Sequence, residues 1–313
     1  ERAFRYCNHD IGHALACLSF SAGLLGWRAV YLGGAADTEL EALFRLTTPH
    51  SNVHEQEHPA MLCFVDTTLD GDIPRGVPEG VASAFDSLLF HGTPSRLGPA
   101  FVEWDIIDKV AASTKKPRTE SVGWQLPDIP LRQPDSPPRL SAAHIIAQRR
   151  SAVQLDAVTS ISKDVFFCML DRTLPRRGVP PFDVELGEPA VHLLLFVHRV
   201  RGLSPGMYFL LRNERDVLSL QEECHPHFMW EHVEGGLPLR LLTLGNCQRE
   251  AALVSCRQDI AGDGAFSVGM VARFEDGISC APYLYRRLFW ETGMIGQALY
   301  LEAEAHGVRG TGI

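Results

Sequence analysis

The feature that most constrains this chain is a stretch that it contains twice, once near each end. Ile11-Gly12 aligns with Ile295-Gly296, and each pair lies in a helix-like segment that is followed by glycines. Seven positions are identical over residues 2–29, whereas chance gives about two at ordinary residue usage. A repeat at this separation is typical of duplicated domains, because solenoid repeats are far shorter. The identical pairs are Arg2/Arg286, Ile11/Ile295, Gly12/Gly296, Ala14/Ala298, Leu15/Leu299, Gly23/Gly307 and Gly26/Gly310.

The C-terminal copy, residues 281–313, predicts one long helix that ends in a glycine-rich segment. Leu284 and Leu288 belong to an apolar stripe at helical spacing, and Gly307 is a predicted C-cap. Residues 310–313, Gly-Thr-Gly-Ile, are named the glycine segment. Glycine lets the backbone approach a neighbouring group closely. The same pattern also fits an ordinary helix-to-strand turn, and the local sequence leaves both interpretations open.

Composition limits the classes of partner. The 313 residues, enough for about two domains, carry a formal net charge of −9, so no nucleic-acid partner is expected. No apolar run approaches the ~20 residues of a membrane span, so no membrane partner is expected. Eight cysteines without a CxxC pair favour a reducing cytoplasm. Because the sequence starts inside a helix-like segment and stops inside the glycine segment, we interpret it as a fragment.

The middle of the chain predicts a boundary between two domains. Six prolines with polar neighbours lie within residues 115–140, which is typical of an extended linker. Residues 115–118, Lys-Lys-Pro-Arg, are interpreted as a solvated part of it. Beyond the linker, apolar runs at residues 191–198 and 207–211 flank a turn with glycine and proline. Long helices and a few paired strands, without regular βαβ alternation, predict the α+β class.

A candidate phosphate site lies at the end of a short helix that Ser141 is predicted to cap. It consists of Arg149, Arg150 and Ser151. The guanidinium fork of arginine matches phosphate oxygens, and the serine hydroxyl is a further hydrogen-bond donor. Such a triplet is also a common solvated end of a surface helix, so the residues alone leave phosphate binding open.

Two histidine-containing stretches are candidate metal sites. His9 and His13 lie one helical turn apart beside Asp10, which suits a metal-dependent hydrolase. The remaining ligands have no candidates, and the aligned residues of the other copy carry no ligands. Residues 224–227, Cys-His-Pro-His, have no second ligand pair at zinc spacing. We therefore expect no metal site.

Three motifs follow one another along the chain. They are Arg149-Arg150-Ser151, Val-Arg-Gly-Leu-Ser-Pro-Gly-Met-Tyr at residues 200–208, and the helix with Tyr285-Arg286, Glu291, Gly293 and Gln297. In this order they resemble the nitroreductase superfamily, and most closely its SagB-type dehydrogenases, which include thiazole/oxazole-forming oxidases. By this resemblance, residues 141–313 form the N-terminal and central part of one copy. Residues 1–114, through a likeness in residues 1–70, form the C-terminal part of another, and residues 115–140 link the two.

The resemblance implies an FMN-dependent oxidoreductase that transfers hydride through the flavin N5. The implied fold is α+β and nitroreductase-like, with a central antiparallel sheet flanked by long helices. Arg149 and Ser151 would bind the FMN phosphate with Arg150 beside them. Bare backbone would approach the flavin ring in both copies, at Gly310, Gly312 and Ile313 in one and at Gly33 and Gly34 in the other.

The resemblance also implies partners. The substrate would be a small molecule or a peptide, whose azoline ring would be oxidised to an azole, and NAD(P)H is a candidate electron donor. Tyr283 and Tyr285 are the nearest candidates to remove the proton, with core tyrosines as the plainer interpretation. The family binds FMN at a dimer interface, which a tandem pair would build as an intramolecular pseudo-dimer, with a homodimer as the alternative.

Two departures from the family pattern keep a second function open. The family usually carries Arg or Lys two positions after Arg-Arg-Ser, where this chain has Val153, and Gln154 would substitute only in part. The Pro-Ser-Ala-Gly segment of the family is replaced by residues 180–189. Both departures favour a flavin-free, non-catalytic module of the same fold that docks onto a protein or binds a peptide.

Overall fold

Helices and strands follow one another irregularly along the chain, as expected for the α+β class. The computed structural model describes residues 2–46, 57–69, 72–86, 88–92, 102, 104–120 and 124–313. Within them, no helix combines the length and the apolar character that crossing a membrane requires. The helices are α1 (Arg2–Leu24), α2 (Asp37–Phe44), α3 (Val81–Asp86), α4 (Asp105–Ser113), α5 (Ala142–Gln148), α6 (Lys163–Asp171), α7 (Val217–Glu223), α8 (Gln248–Val254), α9 (Ile260–Asp263), α10 (Glu275–Cys280) and α11 (Leu284–Ala305).

The strands are short, and most lie in the second half of the chain. They are β1 (Arg28–Tyr31), β2 (Cys63–Asp66), β3 (Ile161–Ser162), β4 (Val191–Val197), β5 (Val200–Arg201), β6 (Gly206–Leu210), β7 (Glu231–His232), β8 (Leu239–Leu244) and β9 (Phe266–Ala272).

The chain divides into two units, each assembled from separate stretches. Unit 1 comprises Glu1–Gln125, Gly178–Gly187 and Glu275–Trp290. The other three stretches form unit 2 and are Leu126–Arg177, Glu188–Phe274 and Glu291–Ile313. The first boundary between the two units, at Gln125 and Leu126, lies inside the predicted linker. That the two halves are copies of one domain stays a prediction.

Unit 2 is organised around a five-stranded sheet. The strand order is β7-β8-β6-β4-β9, and every neighbouring pair is antiparallel. The apolar run of β4 is central, and its side chains are almost all buried, because a central strand has both faces covered. This sheet confirms the predicted α+β class with a central antiparallel sheet, and the pairing of β4 with β6 confirms the predicted strand–turn–strand unit.

Unit 1 packs α1 against the first residues of α11. Trp290 Nε1 donates a hydrogen bond to the buried Asn8 Oδ1 at 2.8 Å. One turn further along α1, a Cβ built on Gly12 would lie 2.1 Å from the Trp290 carbonyl oxygen. The two helix backbones therefore approach each other so closely that only glycine fits at position 12. β1 and β2 form a separate antiparallel pair in this unit.

The sequence predicts that the basic run at residues 115–118 is solvated, and this prediction is wrong for Lys116. Lys116 is 6% exposed, and its Nζ donates to Ala35 O at 3.1 Å and to Thr119 Oγ1 at 2.9 Å. Its backbone N–H donates to Asp37 Oδ2 at 2.8 Å, and Asp37 also pairs with Arg286 at 2.9 Å. Buried charges persist where polar partners replace water, so the start of the predicted linker is packed into unit 1.

Candidate functional site

The predicted phosphate-binding residues follow directly after α5. Ser141 Oγ accepts the His144 N–H at 3.3 Å, which confirms the predicted N-cap. At the other end of the helix, Arg150 Nη1 donates to Ala147 O at 3.1 Å and to Arg149 O at 2.7 Å. The last carbonyls of a helix have no partner within it, and a cation there is favourable. Arg150 therefore caps α5, and Arg149 and Ser151 are left for other contacts.

Arg149 lies over the aromatic ring of Tyr300. Its guanidinium carbon is 5.0 Å from the ring centre, a cation–π distance. In the described part of the chain, no carboxylate lies within ion-pair distance of Arg149. A half-exposed guanidinium that the protein does not neutralise is suited to an anionic ligand.

The hydroxyl of Tyr300 joins the two predicted halves of the site. Ser151 Oγ lies 3.3 Å from it, and the Gly312 N–H donates to it at 2.7 Å. Next to these contacts, the Ala152 N–H donates to Gly310 O at 2.9 Å. The fold therefore brings the end of α5 and the glycine segment side by side, although they are about 160 residues apart.

The glycine segment has donors that the protein does not use. Over the described residues, the N–H groups of Gly310, Thr311 and Ile313 donate to no protein acceptor. The backbone of Gly310 is not left-handed, and a Cβ on it would meet nothing within 4 Å. Neither backbone strain nor packing within the protein explains this glycine, whereas a flat ligand lying against the backbone would explain it. These observations fit the predicted flavin.

Glu304 makes a second link between the same two segments. Its Oε1 accepts the Gln148 Nε2–H at 2.8 Å, and its Oε2 lies 3.5 Å from Arg309 Nε. The side chain is buried, with 6% of the residue exposed. Glu304 lies one turn after Tyr300 on α11, so both side chains project from the same face of the helix. Sequence reasoning missed both, because a tyrosine and a glutamate in a helix carry no distinctive pattern.

Gly33 and Gly34 have a different environment in unit 1. Their N–H groups donate to Tyr31 O at 2.9 Å and to Arg75 O at 2.8 Å. A Cβ on Gly34 would lie 2.5 Å from Arg75 O. The chain itself therefore accounts for Gly34, and both amides already have acceptors. A flavin contact at this pair stays a prediction.

The two predicted catalytic tyrosines lie in unit 1. Tyr285 OH accepts the Arg5 Nε–H at 3.0 Å, and its ring packs edge-on against Phe289. Tyr283 has the ammonium of Lys116 over its ring, 5.3 Å from the ring centre. Both tyrosines have protein partners that a structural role would explain, and their part in proton removal stays a prediction.

The two departures from the family pattern have structural settings of their own. Val153 is 90% exposed, so an apolar side chain stands in solvent beside the glycine segment. Residues 178–187 belong to unit 1, where Ser19 Oγ donates to the buried Asp183 Oδ1 at 3.0 Å. Among the described residues, no three His, Cys, Asp or Glu side chains are grouped to hold one metal ion.

The fold and the site define an α+β protein with an antiparallel five-stranded sheet and an anion-suited cluster beside a glycine segment. No family model matches the sequence, and no curated protein matches it. A crystal structure of a candidate nitroreductase from Anabaena variabilis matches 97% of this chain with a TM-score of 0.63 and 18% sequence identity. The chain spans 58% of the length of that protein. At this identity the match establishes a shared fold, which is the nitroreductase-like fold predicted from the motifs.

Proposed function

We propose that this chain is an FMN-dependent oxidoreductase of nitroreductase type. The observation that carries the proposal is the convergence of Arg149 and Ser151 on Tyr300, immediately beside the open amides of the glycine segment. An unneutralised cation and a hydroxyl suit a phosphate, and bare backbone suits a flat ring. The nitroreductase-like fold, which the motifs also indicate, supports the proposal.

Each residue of the site has a definite role in this proposal. Arg149 and Ser151 bind the FMN phosphate, and Arg150 supports them by capping α5 rather than by direct contact. The backbone N–H groups of Thr311 and Ile313 donate to the ring. The chemistry that FMN supplies when it is bound is the reversible acceptance of a hydride.

The finer proposal is SagB-type chemistry, the oxidation of an azoline ring in a peptide to an azole. It rests on the motif at residues 200–208, which forms β5, the following turn and the start of β6. The oxidation removes a hydride and a proton from the ring, and Tyr283 or Tyr285 is the proposed acceptor of the proton. NAD(P)H is the proposed electron partner for other substrates.

The alternative function is a flavin-free module that docks onto a protein or binds a peptide. Its specific support is Val153, which is 90% exposed at the position where the family carries a cation. The paired amides of Gly33 and Gly34 also fit a chain that needs no cofactor in unit 1.

Flavin binding decides between the two functions. We expect the purified protein to take up FMN, with flavin absorption bands that remain after gel filtration. Arg149→Met removes charge-assisted hydrogen bonds to phosphate worth about 1.5–3 kcal/mol, so FMN should bind at least about tenfold more weakly. Riboflavin, which has no phosphate, should bind Arg149→Met and the unmodified protein equally well.

The matched control is Arg215→Met, which removes the same charge from unit 2 at a side chain that is 80% exposed. It should leave the dissociation constant for FMN unchanged. A colourless protein that does not take up added FMN would establish the flavin-free alternative. Equal losses of FMN affinity in Arg149→Met and Arg215→Met would show that the effect comes from the net charge of the protein, and the assignment of the phosphate site would be wrong.

A further inference from the structure

Two side chains of α11, one helical turn apart, each link the two segments of the proposed flavin site, either directly or through the residue next to a segment. Tyr300 OH contacts Ser151 Oγ in the first segment and accepts the N–H of Gly312 in the second. Glu304 accepts from Gln148, which precedes Arg149, and pairs with Arg309, which precedes Gly310. We name residues 148–152 the phosphate segment, and both segments are thus attached to one face of one helix.

We propose that Tyr300 and Glu304 are positioning residues that hold the glycine segment at a fixed distance from the phosphate segment, and so set the affinity for the flavin ring itself. The inference rests on the proposed function. It assigns the two residues no contact with the cofactor: the Tyr300 hydroxyl contacts Gly312 and Ser151, and Glu304 is buried.

The physical reason is the cost of ordering an exposed backbone. Fixing a backbone residue costs conformational entropy, and a ligand that must order a loose segment binds more weakly for that reason. Beyond Arg309, two hydrogen bonds among the described residues attach the glycine segment to the rest of unit 2, from Ala152 N–H to Gly310 O and from Gly312 N–H to Tyr300 OH. The Tyr300 hydroxyl therefore supplies one of two attachments, next to the amides of Thr311 and Ile313.

Tyr300 acts on the phosphate segment through two parts of its side chain. The face of its ring lies under the Arg149 guanidinium, and its hydroxyl, which holds Gly312, also lies 3.3 Å from Ser151 Oγ. Tyr300→Phe removes the hydroxyl and keeps the ring, and Tyr300→Leu removes both. The two variants therefore separate the hydroxyl contacts from the ring contact with Arg149.

The experiment measures dissociation constants for FMN and for riboflavin by quenching of flavin fluorescence. Tyr300→Phe should weaken the binding of both flavins by the same factor, about twofold to tenfold for one hydrogen bond. The preference for FMN over riboflavin is then kept. Ser151→Ala, which also removes one hydroxyl from this cluster, should weaken the binding of FMN and leave the dissociation constant for riboflavin unchanged. Tyr300→Leu should weaken the binding of both flavins and also reduce the preference for FMN.

A second readout needs no flavin. Amide hydrogen exchange at Gly312 should be faster in Tyr300→Phe than in the unmodified protein by about the same factor. Glu304→Gln keeps an acceptor for Gln148 but removes the charge that pairs with Arg309, so it should weaken riboflavin binding in the same direction as Tyr300→Phe.

The outcomes separate the two proposals. If the unmodified protein binds neither flavin, the proposed function falls and this inference falls with it. If the unmodified protein binds FMN but Tyr300→Phe binds riboflavin as tightly as before, the positioning role is overturned and the proposed function stands. A loss confined to FMN in Tyr300→Phe would likewise overturn it, because the hydroxyl would then act on the phosphate.

Discussion

Replacing Gly12 by alanine tests how closely α1 approaches α11 in unit 1. The new Cβ would lie 2.1 Å from the Trp290 carbonyl oxygen, whereas real Cβ contacts are essentially never shorter than 3.0 Å. The helices must separate, which costs about 1–3 kcal/mol in overpacking. Separation also stretches the buried hydrogen bond between Trp290 and Asn8, worth about 0.5–1.5 kcal/mol. Alanine recovers about 1 kcal/mol of helix propensity, so the net loss in the free energy of unfolding is about 2 kcal/mol.

Gly277→Ala provides the matched control. Gly277 lies in α10 of the same unit, without a left-handed backbone, and a Cβ there would meet nothing within 4 Å. This substitution should stabilise unit 1 by up to about 1 kcal/mol. Urea unfolding followed by circular dichroism should therefore shift the two midpoints in opposite directions at an unchanged slope. A midpoint for Gly12→Ala at or above that of the unmodified protein would refute the close approach.

Three further predictions concern buried and titrating groups in unit 2. Glu291→Gln removes the carboxylate charge that pairs with the buried Arg212 guanidinium, and should lower the free energy of unfolding by about 3 kcal/mol in urea unfolding. Burial lowers the pKa of His192 from 6.5, so the unfolded state binds one more proton than the folded state as the pH is lowered below 6.5. The free energy of unfolding should therefore decrease as the pH is lowered through this range. His192→Gln should reduce the slope of the free energy of unfolding against pH. The hydrogen bond from Thr159 lowers the pKa of Asp156 to about 2, and Thr159→Ala should raise the value that NMR titration reports.

The sequence was most informative where structure is decided locally. Ser141 was predicted as an N-cap because its side chain needs only an amide three residues away. The apolar run that forms β4 predicted a strand, and its pairing with β6 followed from the short turn between them. The phosphate candidates Arg149 and Ser151 could be named because residue type alone suits them to the ligand.

The sequence was least informative where two distant segments meet. Tyr300 and Glu304 are ordinary helical residues until the fold places residues 148–152 and 309–312 on either side of them. Lys116 was misjudged because two of its polar partners, Ala35 O and the Asp37 carboxylate, come from a stretch about 80 residues earlier. A buried lysine is recognisable only through such partners, because its own sequence reads as a solvated run.

The predicted internal repeat leads to a last prediction, that a chain of this length binds one FMN. At the offset that aligns Gly12 with Gly296, the counterparts of Tyr300 and Glu304 are Ala16 and Phe20. Neither side chain can accept a hydrogen bond, so α1 cannot hold two segments as α11 does. Gly33 and Gly34 already use their amides within the protein. Isothermal titration calorimetry with FMN should therefore give a stoichiometry of one. A stoichiometry of two would mean that the N-terminal half of the chain binds flavin without counterparts of Tyr300 and Glu304, and that flavin binding in this fold does not need such positioning residues.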